Sequence, residues 1–209
     1  MRYAHIWLVA ATLLVFGCAT TGVTNAPGRP TRVEDPGSPG IVQGLGIESQ
    51  DIVSMADQMV RDIMATPALA GRAVPPRVIV DGQYFRNESS MPLDKSLITD
   101  RLRVALNKAA SGKMVFIGRN YADMVEHERE LKEEGVVSGG TGVRADKPSG
   151  ADYRLGGSIR SLDQVSSRTG MSARYFQIVF EMVDLETSAI VWSNLYDVRK
   201  AGQDDAIYR

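Results

Sequence analysis

The segment Glu126-His127-Glu128-Arg129-Glu130 contains the residue types that acid–base or metal chemistry needs. On a helix, His127 and Glu130 are three residues apart and share one face, where they could bind a metal ion or transfer a proton. The second histidine of the zincin-like helix motifs is absent, and the surrounding residues are a run of mixed charges. The pattern favours a solvated, charged helix face, and a hydrolase acting through His127 is the alternative.

Three glycines, Gly139, Gly140 and Gly142, form a second candidate, because glycine-rich loops can bind phosphate. No Lys-Ser or Lys-Thr pair follows them and no helix start is evident, so a flexible loop is the better interpretation. No serine lies in a Gly-x-Ser-x-Gly context. We therefore expect no catalytic residue, no metal, no cofactor and no small-molecule substrate, and we predict that the protein is not an enzyme.

Cys18 is the single cysteine of the 209 residues, and it ends an N-terminal segment with the features of a secretion signal. Arg2 precedes an apolar run from Ile6 to Phe16, about half of the ~20 residues that a transmembrane helix needs. Val15-Phe16-Gly17-Cys18 resembles a bacterial lipobox, in which cleavage precedes the cysteine and acyl chains modify it. We expect a signal peptide at 1–17 and lipid attachment at Cys18, with an ordinary signal peptide as the alternative. By the same resemblance, Ala19 in place of aspartate favours the outer membrane.

Composition and charge exclude several classes of protein. The chain carries 24 Lys and Arg against 25 Asp and Glu, a formal net charge of −1, which gives no reason to expect a nucleic-acid partner. One cysteine allows neither an intramolecular disulfide nor a cysteine-rich zinc module. With 44% hydrophobic and 23% charged residues, the chain has the composition of an ordinary globular protein.

Residues 19–46 differ in composition from the rest of the chain. Proline and glycine recur throughout this stretch and no apolar periodicity runs through it, so we expect a disordered linker. The predicted organisation is a signal peptide at 1–17, a lipidated cysteine and linker at 18–46, and a globular domain at 47–209. The linker would tether that domain away from a membrane surface.

Apolar periodicity predicts three helices and about five strands in the domain. Helical spacing covers residues 49–66, with Ser49 as the N-cap, then residues 94–110 and 121–134, the last capped by Asn120. A strand at Arg77 to Val80 runs on to Asn87, and residues 114–117 form a short buried strand. From Tyr153 the period changes to two, which predicts a C-terminal meander whose last two strands form a hairpin. The fold class is α/β or α+β: a mixed β-sheet of about five strands with helices packed on it.

Aromatic and basic residues cluster where loops are expected. Tyr and Arg are enriched at protein interfaces, because they combine a large contact area with directed hydrogen bonds. The alternative is that these residues bind no partner: Tyr84 and Phe85 then form the end of a core strand, and Arg86 is solvated. The predicted partner-binding residues are Tyr84, Phe85, Arg86, Asn87, Arg119 and Tyr121.

The lipobox, the linker and four segments of the domain together resemble one known family, the LpoB-type activators of penicillin-binding proteins. The order and spacing of the segments carry the resemblance, which covers essentially the whole mature chain. The four segments are Val78-Ile79-Val80 to Phe85-Arg86-Asn87, Ala151-Asp152-Tyr153-Arg154-Leu155-Gly156-Gly157, Val183-Asp184-Leu185-Glu186-Thr187 and Ile190-Val191-Trp192-Ser193.

The resemblance implies a fold similar to the N-terminal domain of TolB and a lipoprotein anchored in the outer membrane, with its domain in the periplasm. It also implies that the domain binds a bifunctional class A penicillin-binding protein and stimulates its peptidoglycan synthesis. A lipoprotein component of an envelope assembly or secretion complex is the alternative function.

Overall fold

The computed structural model describes residues 31–140 and 147–203. The helices and strands described below lie within the unit formed by residues 35–209. The helices are α1 (Ser49–Ala65), α2 (Pro67–Ala70), α3 (Ser96–Ala110) and α4 (Ala122–Glu133). The strands are β1 (Arg77–Ile79), β2 (Phe85–Asn87), β3 (Val115–Phe116), β4 (Tyr153–Val165), β5 (Ser172–Asp184) and β6 (Ile190–Gly202).

The strands form one mixed sheet in the order β3-β1-β4-β5-β6, and β2 also pairs with β4. Strands β1, β2 and β3 take part in parallel pairs, whereas β4, β5 and β6 form an antiparallel meander. The predicted fold class is confirmed, with six strands in place of about five. The extra strand arises because the stretch after β1 turns before it continues: the Gln83 backbone N–H donates to Asp81 Oδ1 at 3.0 Å.

One hydrophobic core lies between the sheet and the helices α1 and α3. The apolar stripe predicted for the first helix is buried, and Met55, Met59 and Ile63 are at most 1% exposed. The alternating apolar residues of β5 face the same core, where the rings of Phe85 and Phe180 stack with centroids 5.2 Å apart. The sequence periodicity therefore identified the core-facing side of both element types.

Polar contacts hold α1 against β6. Asp62 Oδ2 accepts from Trp192 Nε1 at 2.6 Å and from Asn194 Nδ2 at 2.8 Å. At the other end of the helix, Lys200 Nζ lies 2.7 Å from Asp51 Oδ2 and donates to the Gly46 carbonyl oxygen at 2.8 Å. Because two separate points on β6 are tied to two points on α1, the helix is fixed in direction as well as in position.

The helix boundaries differ in detail from the prediction. Helix α1 is capped by Glu48 rather than Ser49, because Glu48 and Asp51 form a reciprocal capping box. The predicted cap Asn120 lies inside a short 3₁₀ turn, Arg119–Tyr121, that precedes α4. The Ser96 backbone N–H and hydroxyl at the start of α3 both donate to Asp94, and these hydrogen bonds lower the pKa of the Asp94 carboxyl.

Two further findings concern burial. The strand predicted as buried at 114–117 is the edge strand β3, where Val115 is 46% exposed because only β1 pairs with it among the described residues. Leu45, in the stretch predicted as linker, is 5% exposed. The Gly44 backbone N–H also donates to Glu48 Oε1 at 2.7 Å. The contacts of the folded domain therefore begin slightly before Ile47, while the domain boundaries themselves remain predictions.

Candidate partner-binding groove

The parallel pairing of β2 with β4 builds a groove on the sheet face opposite α1 and α3. In this register Phe85 lies beside Gly157 and Arg86 lies beside Ser158. The groove has a volume of about 390 Å³. Its lining comes from the turn before β2, from β2 itself, and from the middle of β4 and β5: Gln83, Tyr84, Arg86, Gly156, Gly157, Ser158, Arg160, Val179 and Glu181.

Tyr84 forms an exposed aromatic wall of this groove and is 59% exposed. The Arg154 guanidinium lies over its ring, 4.5 Å from the centroid, in a cation–π contact. Arg154 also donates to Asp81 Oδ2 at 2.7 Å and bonds to Gln83. Because one half-buried arginine is held by three partners in the turn before β2, the ring of Tyr84 is presented in a defined position.

Glu88 holds the two arginines on the rim of the groove. Its Oε2 accepts from Arg160 Nε at 2.9 Å, and its Oε1 lies 3.4 Å from Arg86 Nε. Glu181, on β5, adds a second carboxylate to the lining. Two guanidinium groups are thus matched by two carboxylates, so the rim is polar without an excess of either charge.

Gly157 makes the close approach of β2, β4 and β5 possible. A Cβ at this position would lie 2.2 Å from the Val179 carbonyl oxygen and 2.7 Å from the ring of Phe85. No side chain fits there, so glycine is required for β2 to pair at this point.

The structure separates the predicted partner-binding residues. Tyr84 and Arg86 are exposed and line the groove. Phe85 is fully buried in the core, in agreement with the alternative that it belongs to a core strand. The Asn87 side chain is engaged within its own loop, since Nδ2 donates to the Met91 carbonyl oxygen and Oδ1 accepts from Ser89.

Arg119 and Tyr121, the other two predicted residues, lie in the 3₁₀ turn before α4 and are exposed. In the part of the chain that the structure describes, no hydrogen bond, ion pair or ring contact joins them to Tyr84 or Arg86. Partner binding by any of the six residues remains a prediction.

Sequence reasoning missed Arg160, Val179 and Glu181 as groove residues, and it missed Arg154 as the residue that holds the Tyr84 ring. Arg154 and Arg160 alternate with the buried residues of β4, so they lie on the face away from the core. Nothing local indicated that this face would lie beside Tyr84, because residues 71 to 73 positions apart meet there, as in the bonds from Arg154 to Gln83 and Asp81. The missing information was the pairing of β2 with β4.

Asp163 lies in β4, three residues after the groove residue Arg160, and it forms a polar cluster with Ser90 and Arg174. The Ser90 hydroxyl donates to Asp163 Oδ2 at 2.6 Å, and Arg174 Nε donates to Oδ1 at 2.6 Å. The hydrogen bond from Ser90 is the largest influence and lowers the pKa of the Asp163 carboxyl; burial opposes it, and Arg174 lowers the pKa further. This cluster joins the loop after β2 to the β4–β5 hairpin.

The other candidates from the sequence lie away from the groove. His127 Nδ1 and Glu130 Oε2 are 3.7 Å apart on an exposed face of α4, and both side chains are more than 60% exposed. Over the described ranges, no group of three or more His, Cys, Asp and Glu side chains is arranged to hold a metal ion. Gly139 and Gly140 are exposed. Gly142 and Cys18 lie outside the described residues.

Within those same ranges, no helix combines the length and apolar character that crossing a membrane requires. Among the described residues, the buried apolar side chains form one core, and the opposite face of β4, β5 and β6 carries half-buried and exposed side chains.

Comparison with solved structures finds several similar chains. The LpoB C-terminal domain from Escherichia coli is 17% identical with a TM-score of 0.42, and the match covers 71% of this chain and 98% of that one. The corresponding domain from Salmonella enterica is 16% identical with a TM-score of 0.36, covering 70% and 94%. Lipoprotein GNA1162 from Neisseria meningitidis is 13% identical with a TM-score of 0.32, covering 63% and 88%.

A search of curated proteins finds no match. The family described as peptidoglycan-synthase activator LpoB matches residues 51–198. This match runs from the first turn of α1 to the middle of β6 and includes every strand of the sheet at least in part. It confirms the resemblance, and the chain belongs to the LpoB family of peptidoglycan-synthase activators.

Proposed function

We propose that this protein is a non-enzymatic lipoprotein that binds and activates a bifunctional class A penicillin-binding protein. Membership of the LpoB family supports a role in activating a peptidoglycan synthase. The observation that carries the binding part of the proposal is the groove between β2, β4 and β5, where Tyr84 and Arg86 are exposed side by side with Arg160. Tyrosine and arginine are the residue types that most often dominate binding energy in protein interfaces.

The proposed action is a shift of the synthase toward its active conformation. A protein that binds the active state more tightly than the inactive state changes their populations by the difference in binding free energy. For a typical allosteric effector that coupling amounts to about 1–3 kcal/mol, or roughly 5- to 150-fold. No reacting group of the activator is needed for this effect.

Binding and stimulation can be tested with the full-length protein in detergent and the purified class A synthase of the same organism. We expect the wild type to bind and to raise the rate of glycan polymerisation. Tyr84→Ala and Arg86→Ala should weaken binding by about tenfold or more, because each removes an exposed groove side chain. Arg101→Ala, an exposed position on α3, is the matched control and should bind as the wild type does. A wild-type protein that neither binds nor stimulates any cognate class A synthase would refute the proposal.

We propose the outer membrane as the location, with Cys18 as the point of attachment and the domain facing the periplasm. The lipobox-like segment before Cys18 and Ala19 after it support this assignment. Several acyl chains at about 0.8 kcal/mol per buried methylene anchor a protein firmly, whereas one chain is marginal.

The anchor is tested by Cys18→Ser. This variant should lose acylation and should leave the outer-membrane fraction, as measured by fatty-acid labelling and by fractionation of the envelope. Labelling and fractionation that do not change in the variant would show that Cys18 is not the anchor.

A further inference from the structure

Gly156 and Gly157 are adjacent in β4, yet only one of them is accounted for by packing. A Cβ on Gly156 would have the Tyr84 carbonyl oxygen as its nearest neighbour at 3.5 Å, which is ordinary van der Waals contact. Neither glycine has a positive φ. A glycine inside a strand weakens the strand, because glycine loses more backbone entropy on folding and contributes no side chain to the packing. The fold therefore has room for a Cβ at position 156.

The missing side chain at Gly156 deepens the groove. Gly156 lies opposite Glu181 on β5, and it faces away from the core because its neighbours Leu155 and Gly157 face toward it. The turn containing Tyr84 lies on its other side, and Val179 lies along β5. Gly156 therefore forms the floor of the groove, with Val179 and the Tyr84 ring as its apolar neighbours and Ser158 and Glu181 as its polar neighbours on this face. The hollow over Gly156 is apolar on the sides of Val179 and Tyr84.

The charges around the hollow argue against an anion as its occupant. Two arginines line the hollow, Arg86 and Arg160, and they share the carboxylate of Glu88. Glu181 is a carboxylate of the lining itself. Arg154, which lies over the Tyr84 ring, pairs with Asp81. The three guanidinium groups are thus matched by three carboxylates, so an anionic ligand would find no net attraction.

We infer that the hollow over Gly156 receives one large apolar or aromatic side chain of the synthase. This inference rests on the proposed function and specifies its contact chemistry. A side chain of that kind buries about 150–250 Å² in the aromatic case and matches the Gly156 floor, Val179 and the Tyr84 wall. Residues that insert into such a pocket at the centre of an interface are the usual anchors of binding energy, and a polar rim excludes water around them.

The experiment fills the hollow with a larger side chain at position 156. Gly156→Ala, Gly156→Val and Gly156→Leu are made in the full-length protein, and binding to the purified class A synthase is measured in detergent. We expect a graded loss, small for alanine and about tenfold or more for valine and leucine, because a larger side chain occupies more of the space that the anchor needs. Thermal unfolding of the alanine variant, whose Cβ fits without a clash, should be unchanged or slightly higher than that of the wild type.

Ala173→Val is the matched control, since it adds a branched side chain to the same sheet face further along β5, outside the groove lining. It should bind as the wild type does. If the wild type binds the synthase and all three Gly156 variants bind equally well, the anchor inference is wrong and the proposed function stands. If the wild type does not bind, the proposed function fails and the inference fails with it.

Discussion

The two faces of the β4–β5–β6 sheet use the same strands for opposite purposes. On the face under α1 and α3, Phe176, Ile178, Phe180 and Met182 are at most 1% exposed. On the other face, their neighbours in β5 are half-buried, and two of them, Val179 and Glu181, line the groove together with Arg86 and Arg160. Since successive side chains of a strand point to opposite faces, each residue of β5 serves either stability or the surface. The difference teaches that the outward-facing side chains of β5 can be changed with little effect on folding.

The adjacent glycines repeat this contrast within one dipeptide. Gly157 has no room for a Cβ because Val179 and Phe85 approach it on the core side. Gly156, on the groove side, has room. One glycine is present for packing, and the other leaves a hollow.

The largest expected effect is the removal of a core ring. Phe180→Ala removes the ring that stacks on Phe85 and should reduce the free energy of unfolding by about 3–5 kcal/mol. Gln177→Ala, on the opposite face of the same strand, should change it by less than about 0.5 kcal/mol. Denaturant unfolding of both variants measures the difference. Similar losses in the two variants would mean that the two faces do not differ in the way described.

The glycine pair gives the next largest difference. Gly157→Ala places a Cβ against a backbone carbonyl that cannot move without the strand, so we expect at least about 2 kcal/mol of destabilisation. Gly156→Ala should be neutral or stabilising by about 0.4–1 kcal/mol, because alanine loses less backbone entropy than glycine on folding. Thermal unfolding of the two variants in parallel is the measurement. Equal stabilities of Gly157→Ala and Gly156→Ala would contradict the proposed difference between the two glycines.

The link between α1 and β6 should have an intermediate effect. Asp62→Ala leaves the buried Trp192 indole N–H without its acceptor, and we expect a loss of about 1–2 kcal/mol. Asp57→Ala, on the exposed side of the same helix, is the control and should be nearly neutral. The denaturant midpoints of the two variants show whether the stability depends on the hydrogen bond between Asp62 and Trp192 or only on the negative charge of α1.

The smallest effect is a dependence on pH. The pKa of Asp163 is lowered in the folded protein, first by the Ser90 hydroxyl and then by Arg174. A carboxyl whose folded pKa is lowered stabilises the fold above its unfolded value, near 4, and that contribution is lost as the pH falls through the lowered folded pKa. Asp163→Asn should therefore reduce stability at neutral pH and make the loss on acidification shallower.

Ser90→Ala should show part of the same change, because it removes the hydroxyl that donates to Asp163 Oδ2 and leaves Arg174 in place. The thermal midpoint of the three proteins between pH 7 and pH 2 is the measurement. Identical pH profiles would rule out Asp163 as a contributor.

Much of the fold was predictable from local pattern. The three- and four-residue spacing of methionines and isoleucines located α1, and the period of two located β5 and β6, because both periods follow from backbone geometry alone. The division of one expected strand into β1 and β2 was not predictable in this way. It depends on a turn at Asp81 and on the partner strand β4, some 70 residues later in the chain.

The candidate site was predictable only in part. Tyr84 and Arg86 were identified as residues suited to binding, but Phe85 was grouped with them, and only burial separates it from its neighbours. Arg154 and Arg160 were placed on the outward face without a reason to assign them to a site. Their role depends on proximity in space, which no local signal reports.

The sequence by itself determined the compartment hypothesis at Cys18, the lack of a recognisable catalytic motif, the fold class and the resemblance to the LpoB family, because each depends on residue types and short spacings. Only the tertiary structure decided that β2 pairs with β4, that Gly157 permits this pairing, and that Gly156 leaves a hollow beside Tyr84. The physical reason is that strand pairing joins residues distant in the chain, and the shape of a surface exists only once those residues are brought together.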